Sequence, residues 1–175
     1  WLPGQDDPQS ATIRDRSGNG NHGTISGATW TRLPSGLWVL DLDGTDDKTT
    51  FTGTAASLQI SGDLSIICWA NIDVVKAYNT LITKLTAWSQ GYWLHTQADS
   101  LVFAWADSVL EGTSKSVSTL ISTATWYQFC MVRSGQDHLF YKNGVQVGVT
   151  QTAVGGTILT GNTDMQIGGN QSSHS

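Results

Sequence analysis

An Asn-Gly pair between two β-rich runs is the strongest local constraint in this chain. Asn143-Gly144 separates His138-Leu139-Phe140-Tyr141-Lys142 from Val145-Gln146-Val147. Both residue types tolerate the positive φ that a two-residue type I′ turn demands at its two central positions, so the stretch predicts a β-hairpin. In that register Phe140 faces Val147, an aromatic on a β-branched partner, which is a favoured cross-strand pair. The preceding run carries Trp126, Cys130 and Val132 on one face and Tyr127, Phe129 and Met131 on the other. A strand apolar on both faces is expected to be covered on both, which places this one inside a sandwich of sheets.

The rest of the chain is patterned the same way. Short β-rich runs recur at Thr24–Ser26, Trp38–Asp43, Lys48–Phe51, Leu64–Ile72, Leu81–Leu85, Tyr92–Thr96, Leu101–Ala106, Val117–Ile121 and Met165–Gly169. Turn residues separate them, and no helical periodicity competes, so an all-β, two-sheet antiparallel sandwich is expected. The 175 residues suit one domain, 1–175, and a charged content of only 13% with 19 Gly fits strands joined by many turns. The net charge is −5 and the nine Lys and Arg are scattered singly, which argues against a nucleic-acid partner. No apolar run has the length of a membrane span, so membrane insertion is not expected. The chain opens on Trp1 with neither an initiator Met nor a signal sequence, and is expected to be a fragment of a longer one.

Familiar chemical motifs fall away on inspection. Asp15-Arg16-Ser17-Gly18-Asn19-Gly20-Asn21-His22-Gly23 begins like a calcium-binding loop, but Ser26 stands where the closing Glu would be and no helices flank it. It also lacks the Lys of a phosphate-binding loop, so a structural turn is expected. Glycoside hydrolysis by the usual route needs two carboxyl groups astride the scissile bond. The one Glu, Glu111, lies in a turn-like Leu-Glu-Gly-Thr setting, and the spaced pair Asp41 and Asp43 runs into a turn. His22, His95, His138 and His174 show no spacing that suggests a Ser/His/Asp triad. No enzymatic activity is expected. Cys68 and Cys130 each sit in an apolar run, either as buried thiols or as a disulfide that would add about 4 kcal/mol.

Several stretches, in this order, resemble the concanavalin A-like superfamily, and within it laminin-G-like jelly-roll domains and their pentraxin relatives. They are Asp15 to Thr24, Leu42-Asp43-Gly44-Thr45-Asp46-Asp47, Leu64 to Asn71, Trp126 to Arg133, Phe140 to Gly144, and Ile167-Gly168-Gly169. The resemblance implies a jelly roll, and a cystine between the strands that look like those holding Cys68 and Cys130. Relatives run on past the Gly-Gly region into a segment that returns to the sheet near the N-terminus. This chain is therefore expected to lack its last strand or strands, with a neighbouring chain or missing C-terminal segment completing the sheet. Relatives often bind calcium at the rim through clustered acids. The positions that look equivalent, Trp88-Ser89-Gln90 and Asn170-Gln171-Ser172, are neutral, which leaves Asp46 and Asp47 as the candidate ligands for a possible calcium.

The functional expectation is a non-catalytic recognition module, lectin-like, acting extracellularly or on a cell or virion surface. Sugar recognition pairs an aromatic face with amide or carboxylate groups that bind hydroxyls. Trp88, Gln90 and Tyr92 concentrate that chemistry, with Asp107, Asn170 and Gln171 as neighbours at the same rim. Trp69, Trp105, Trp126 and one of Tyr92 or Trp93 are expected in the core. The alternative is a structural adhesion or decoration module of a surface assembly, whose partner is a surface protein rather than a glycan.

Overall fold

The computed structural model describes residues 2, 8–85, 90–106, 121–152 and 156–169, and the backbone of 111–115. Along the chain the strands are β1 (Thr12–Ile13), β2 (Gly23–Ser26), β3 (Thr29–Arg32), β4 (Trp38–Asp41) and β5 (Lys48–Phe51). After one short 3-10 turn, Ala56–Leu58, come β6 (Leu64–Asn71), β7 (Asn79–Thr83), β8 (Gly91–Gln97), β9 (Ser100–Ala106) and β10 (Glu111–Lys115). The series ends with β11 (Trp126–Ser134), β12 (Asp137–Lys142), β13 (Val145–Gln146), β14 (Gln151–Thr152) and β15 (Met165–Gly168). An eight-stranded sheet runs β1-β2-β5-β15-β7-β8-β9-β10. A five-stranded sheet runs β13-β12-β11-β6 with β14 also on β12, and β3 and β4 form a separate hairpin. All pairings are antiparallel, so the chain is the all-β sandwich that its patterning predicts and the jelly roll that the family resemblance implies. Glu111 opens β10 rather than sitting in a turn.

The Asn-Gly turn forms as expected. Asn143 and Gly144 have φ of 51° and 78°, the pair of positive values that a type I′ turn requires. The tip is tied back to β11: Asn143 N–H donates to the Gln128 carbonyl and Gln128 N–H donates to Asn143 Oδ1, both at 2.9 Å. Val147 N–H donates to the Phe140 carbonyl at 2.8 Å, which brings these two residues opposite one another.

The core lies between the two sheets. Tyr92 and Leu94 of β8 and Leu101, Phe103 and Trp105 of β9 face Leu64 and Ile66 of β6, Tyr127, Phe129 and Met131 of β11, and Phe140 of β12. The strands covered on both sides are β8 and β9, whose outward residues Trp93, Ala104 and Ala106 form a second buried cluster with Leu85. The expectation that the Trp126 run is covered on both faces is corrected. Its inward residues Tyr127, Phe129 and Met131 are buried, but Trp126, Cys130 and Val132 are only half-buried. The same holds for β6, where Trp69, expected in the core, is 62% exposed and Ile67 is 60% exposed. Apolar residues on the outer face of the smaller sheet are therefore surface, because no layer covers that face among the described residues.

The Cys68–Cys130 disulfide is also corrected: both thiols are free. In the β6–β11 ladder Cys68 pairs with Phe129 and Cys130 with Ile67, a one-residue offset. Side chains alternate across a strand, so that offset sends the two sulfurs to opposite faces of one sheet. Cys68 packs against the core while Cys130 points outward. Burial pushes the Cys68 thiol up to about 12, with the nearby Cys130 adding to the shift, so Cys68 behaves as a small hydrophobe.

One polar pair is built into the inner face of the smaller sheet. Arg133 and His138 are cross-strand partners, both buried. Arg133 donates through Nη1 to the Gly62 carbonyl and through Nη2 to the Gly156 carbonyl, each at 2.7 Å. The His138 ring meets Trp105 edge-on at 4.6 Å and Phe103 at 5.3 Å. Burial, reinforced by the Arg133 charge and opposed by Asp137, lowers the His138 imidazole to about 4.

Titrating the denatured, unreduced protein with a thiol reagent is expected to find both cysteines reactive; a bridged pair would show none. The fold favours neutral His138, so its contribution is complete above the unfolded pKa of about 6.5 and is lost as pH falls toward 4. That is worth about 3 kcal/mol. Urea midpoints measured across this window should fall with pH, and the slope should flatten in His138→Leu.

Candidate functional site

The rim at which a ligand was expected is organised by a buried ammonium. Lys84 follows β7, is only 3% exposed, and donates from Nζ to the carbonyls of Gly53 (3.0 Å), Gly161 (2.7 Å) and Thr163 (2.7 Å). Gln59 Nε2 donates to two of the same carbonyls, Gly53 and Gly161. Asp164 Oδ1 accepts from Gly53 N–H at 2.8 Å. Burial lowers the Lys84 ammonium pKa, and the Asp164 charge works against that. The backbone closes around this point, with Lys84 N–H donating to the Tyr92 carbonyl and Gly91 N–H to the Leu159 carbonyl. A Cβ at Gly91, whose φ is 98°, would run into the Lys84 carbonyl, so only glycine allows this approach.

Of the residues expected to bind a ligand here, Gln90 is exposed and its side chain lies over Gly161. Tyr92 is corrected to a core residue: it is 3% exposed, and burial raises its hydroxyl to about 12. Its neighbour Trp93 is buried too, on the opposite side of β8, so both residues of this pair are interior rather than one. Trp88, Asp107, Asn170 and Gln171 lie outside the described residues.

The structure adds an aromatic that sequence reasoning missed. Tyr78, in the loop between β6 and β7, is 53% exposed. Its ring lies 5.7 Å from Trp93 and 5.5 Å from His95, and those two stack with centroids 3.7 Å apart. Gln97 Nε2 lies 3.5 Å from the Tyr78 hydroxyl. An exposed ring braced by two buried ones, with an amide beside it, is a group set that can hold the apolar face of a sugar and bond its hydroxyls. The i, i+2 placement of Trp93, His95 and Gln97 on one face of β8 was legible in the sequence. The arrival of Tyr78 from another loop was not.

Acidic groups converge at the turn after β4. Carboxylate oxygens of Asp43, Asp46 and Asp47 lie within 4.8 Å of one another. Asp46 and Asp47 were the expected ligands, and the turn adds Asp43. The turn already uses two of the three: Asp43 Oδ1 accepts from Thr45 N–H at 2.7 Å, and Asp47 Oδ2 from Asp43 N–H at 2.9 Å. The Thr45 bond is foremost in holding the Asp43 carboxyl below its usual range. Lys76 Nζ donates to the Gly44 carbonyl in the same turn and supplies positive charge there. The cluster could hold a hard cation such as calcium, which takes six to eight oxygens and would need most of them from water.

A family model described as the concanavalin A-like lectin/glucanases superfamily matches residues 43–175. No curated protein matches the sequence. Among solved structures, the chain is similar to a botulinum neurotoxin type C structure, described for cell entry dependent upon interaction with two ganglioside molecules. That match has a TM-score of 0.72 at 17% identity and covers 97% of this chain and 42% of the other. The binding domain of Paraclostridial Mosquitocidal Protein 1 matches equally well, with a TM-score of 0.72 at 17% identity, over 97% of this chain and 45% of that one. The binding domain of botulinum neurotoxin DC, in complex with rat synaptotagmin II, has a TM-score of 0.69 at 16% identity, over 95% and 42%. The chain thus spans less than half the length of each of these structures.

The Lys84 cluster yields a stability prediction. Lys84→Met keeps the apolar stem but leaves the Thr163 carbonyl without its donor and the other two with Gln59 alone. A loss of about 2–3 kcal/mol is expected in urea unfolding, against a change within about 0.5 kcal/mol for the exposed control Lys76→Met.

Proposed function

The chain belongs to the concanavalin A-like lectin/glucanase superfamily, and from that premise we propose that it is a non-catalytic recognition module for carbohydrate, acting extracellularly or on a cell or virion surface. The observation that carries this reading is the Tyr78 ring, half exposed over the Trp93–His95 stack with Gln97 at its hydroxyl. Gln90, exposed beside Gly161, is kept as a proposed ligand contact, as are Trp88, Asp107, Asn170 and Gln171 on their residue chemistry alone. The similarity to a toxin structure described for ganglioside-dependent entry supports a saccharide as the first ligand to test. Binding without catalysis fits the fate of the acidic residues, since the carboxylates that converge at Asp43, Asp46 and Asp47 sit in a turn that two of them stabilise. No helix among the described residues is long and apolar enough to cross a membrane.

A second reading, association with a surface protein, is favoured by the outer face of the smaller sheet. Ile67 and Trp69 stand exposed on β6, and Val132, Leu139 and Tyr141 continue an apolar surface across β11 and β12. Among the described residues β6 ends the sheet order, so that edge could accept a strand from a neighbouring chain or from further residues of the same protein.

A glycan array probed with wild type, Tyr78→Ala, Trp88→Ala and Trp69→Ser separates the two readings. Retention of defined glycans, reduced at least about tenfold in Tyr78→Ala or Trp88→Ala and unchanged in Trp69→Ser, is the expected result. No retention on any glycan, together with self-association in sedimentation velocity that Trp69→Ser abolishes, would replace the carbohydrate reading with the second one.

A further inference from the structure

At the opposite end of the eight-stranded sheet from β10, the edge strand β1 and the loop after it enclose an open pocket of about 450 Å³, lined by Ser10, Thr12, Arg14, Asp15, Arg16 and His22. Ser10, Thr12 and Arg14 fall on one side of the chain by strand alternation, while Ile13 and Asp15 turn inward and are buried. The loop is held in shape by Asp15. Its carboxylate accepts from Ser17 N–H (2.8 Å), Ser17 Oγ (2.7 Å) and Asn21 N–H (3.0 Å). Burial alone would raise this carboxyl; the Ser17 and Asn21 bonds outweigh that and hold it below the usual range. Asp15 N–H donates to His22 Nδ1 at 3.0 Å, so a neutral His22 carries its proton on Nε2 as a further donor. Asn21 Nδ2 donates to Ser57 Oγ at 2.7 Å, which pins the far side of the loop to the body of the domain.

The lining is unusual for this chain. Of only nine Lys and Arg in a protein of net charge −5, two guanidinium groups meet at this pocket. Arg14 is exposed, and no hydrogen bond or ion pair engages it among the described residues. Among the described lining residues the one acid is Asp15, and its carboxylate is turned toward its own loop. Two planar cationic forks beside two hydroxyls and an imidazole N–H match an anion that also carries hydroxyl groups. The volume suits one or two sugar rings. We propose that this pocket binds the carboxylate-bearing residue of an acidic saccharide, with Arg14 and Arg16 on the carboxylate and Ser10, Thr12 and His22 on its hydroxyls. The choice of a saccharide over other carboxylates rests on the carbohydrate reading above, but the pocket is separate from the Tyr78 surface. A loop already fixed by Asp15 loses little conformational freedom on binding, which favours affinity in so small a site.

The test is amide chemical-shift titration of the whole chain with the methyl glycoside of N-acetylneuraminic acid, with methyl glucuronide, with neutral methyl galactoside, and with acetate. The acidic glycosides are expected to shift the signals of residues 10–24 and to saturate. The neutral glycoside and acetate should leave those signals in place at the same concentration. Arg14→Ala and Arg16→Ala should each weaken the acidic glycosides at least about tenfold. Thr12→Val, which keeps shape and β-propensity, should weaken them less. Added salt should also lower affinity. Acetate shifting the same signals as strongly would overturn the proposal in favour of a general anion site. Binding of acidic and neutral glycosides alike, unchanged in Arg14→Ala, would also overturn it while leaving the carbohydrate reading standing. No glycoside response at residues 10–24 would overturn the pocket assignment, and the glycan array would then decide the broader reading by itself.

Discussion

The ammonium of Lys84 is the interaction on which the arrangement of this sandwich depends. Three backbone carbonyls from two separate stretches, Gly53 on one and Gly161 and Thr163 on the other, point inward at one place. Unpaired, they would each pay for leaving water; a single cation satisfies all three. The crossing binds the end of β5, the approach to β15 and the end of β7, three adjacent strands of the eight-stranded sheet. It also sets the rim, because Gly91 begins β8 against the Lys84 carbonyl and Gln90 lies over Gly161. Burying a lysine is costly by itself, and the nearby Asp164 carboxylate offsets part of that cost.

From that fixed rim the two sheets differ in how they are covered. Strands β8 and β9 have buried residues on both faces, while β6 and β11 are buried on one. Composition could not separate these cases. Leu64-Ser65-Ile66-Ile67-Cys68-Trp69 and Leu101-Val102-Phe103-Ala104-Trp105 are comparably apolar, yet Trp69 faces solvent and Trp105 the core. Which face gains a second layer depends on where distant loops return, a tertiary matter. The cysteine pair shows the same limit. Two cysteines on adjacent strands look ready to bridge until the register is known, and the one-residue offset in the β6–β11 ladder is enough to separate them.

The candidate surfaces were legible to different degrees. The Asp15–His22 loop reads as a turn from its Gly, Asn and Ser content, and it is one, with Gly18 and Gly20 at φ of 88° and 71°. Its role as one wall of a basic pocket depends on Thr12 of β1 and on Arg14 just after that strand. Tyr92 looked like a rim aromatic because it opens a strand after a polar loop; the phase of alternation sends it into the core. Tyr78 sits in an unremarkable Lys-Ala-Tyr-Asn stretch and acquires significance only through the stack that it covers.

The sequence by itself determined the class of fold and its most local geometry. Alternation, turn residues and the Asn143-Gly144 pair act over a few residues, so they can be read without knowing what lies across the sandwich. The ordered stretches from Asp15 to Gly169 were also enough to identify the superfamily. Tertiary structure alone decided which apolar faces are covered, where Cys68 and Cys130 point, which carbonyls Lys84 satisfies, and which aromatic reaches the surface. Each of those outcomes depends on pairs of residues far apart in the chain, whose register and approach no local pattern encodes.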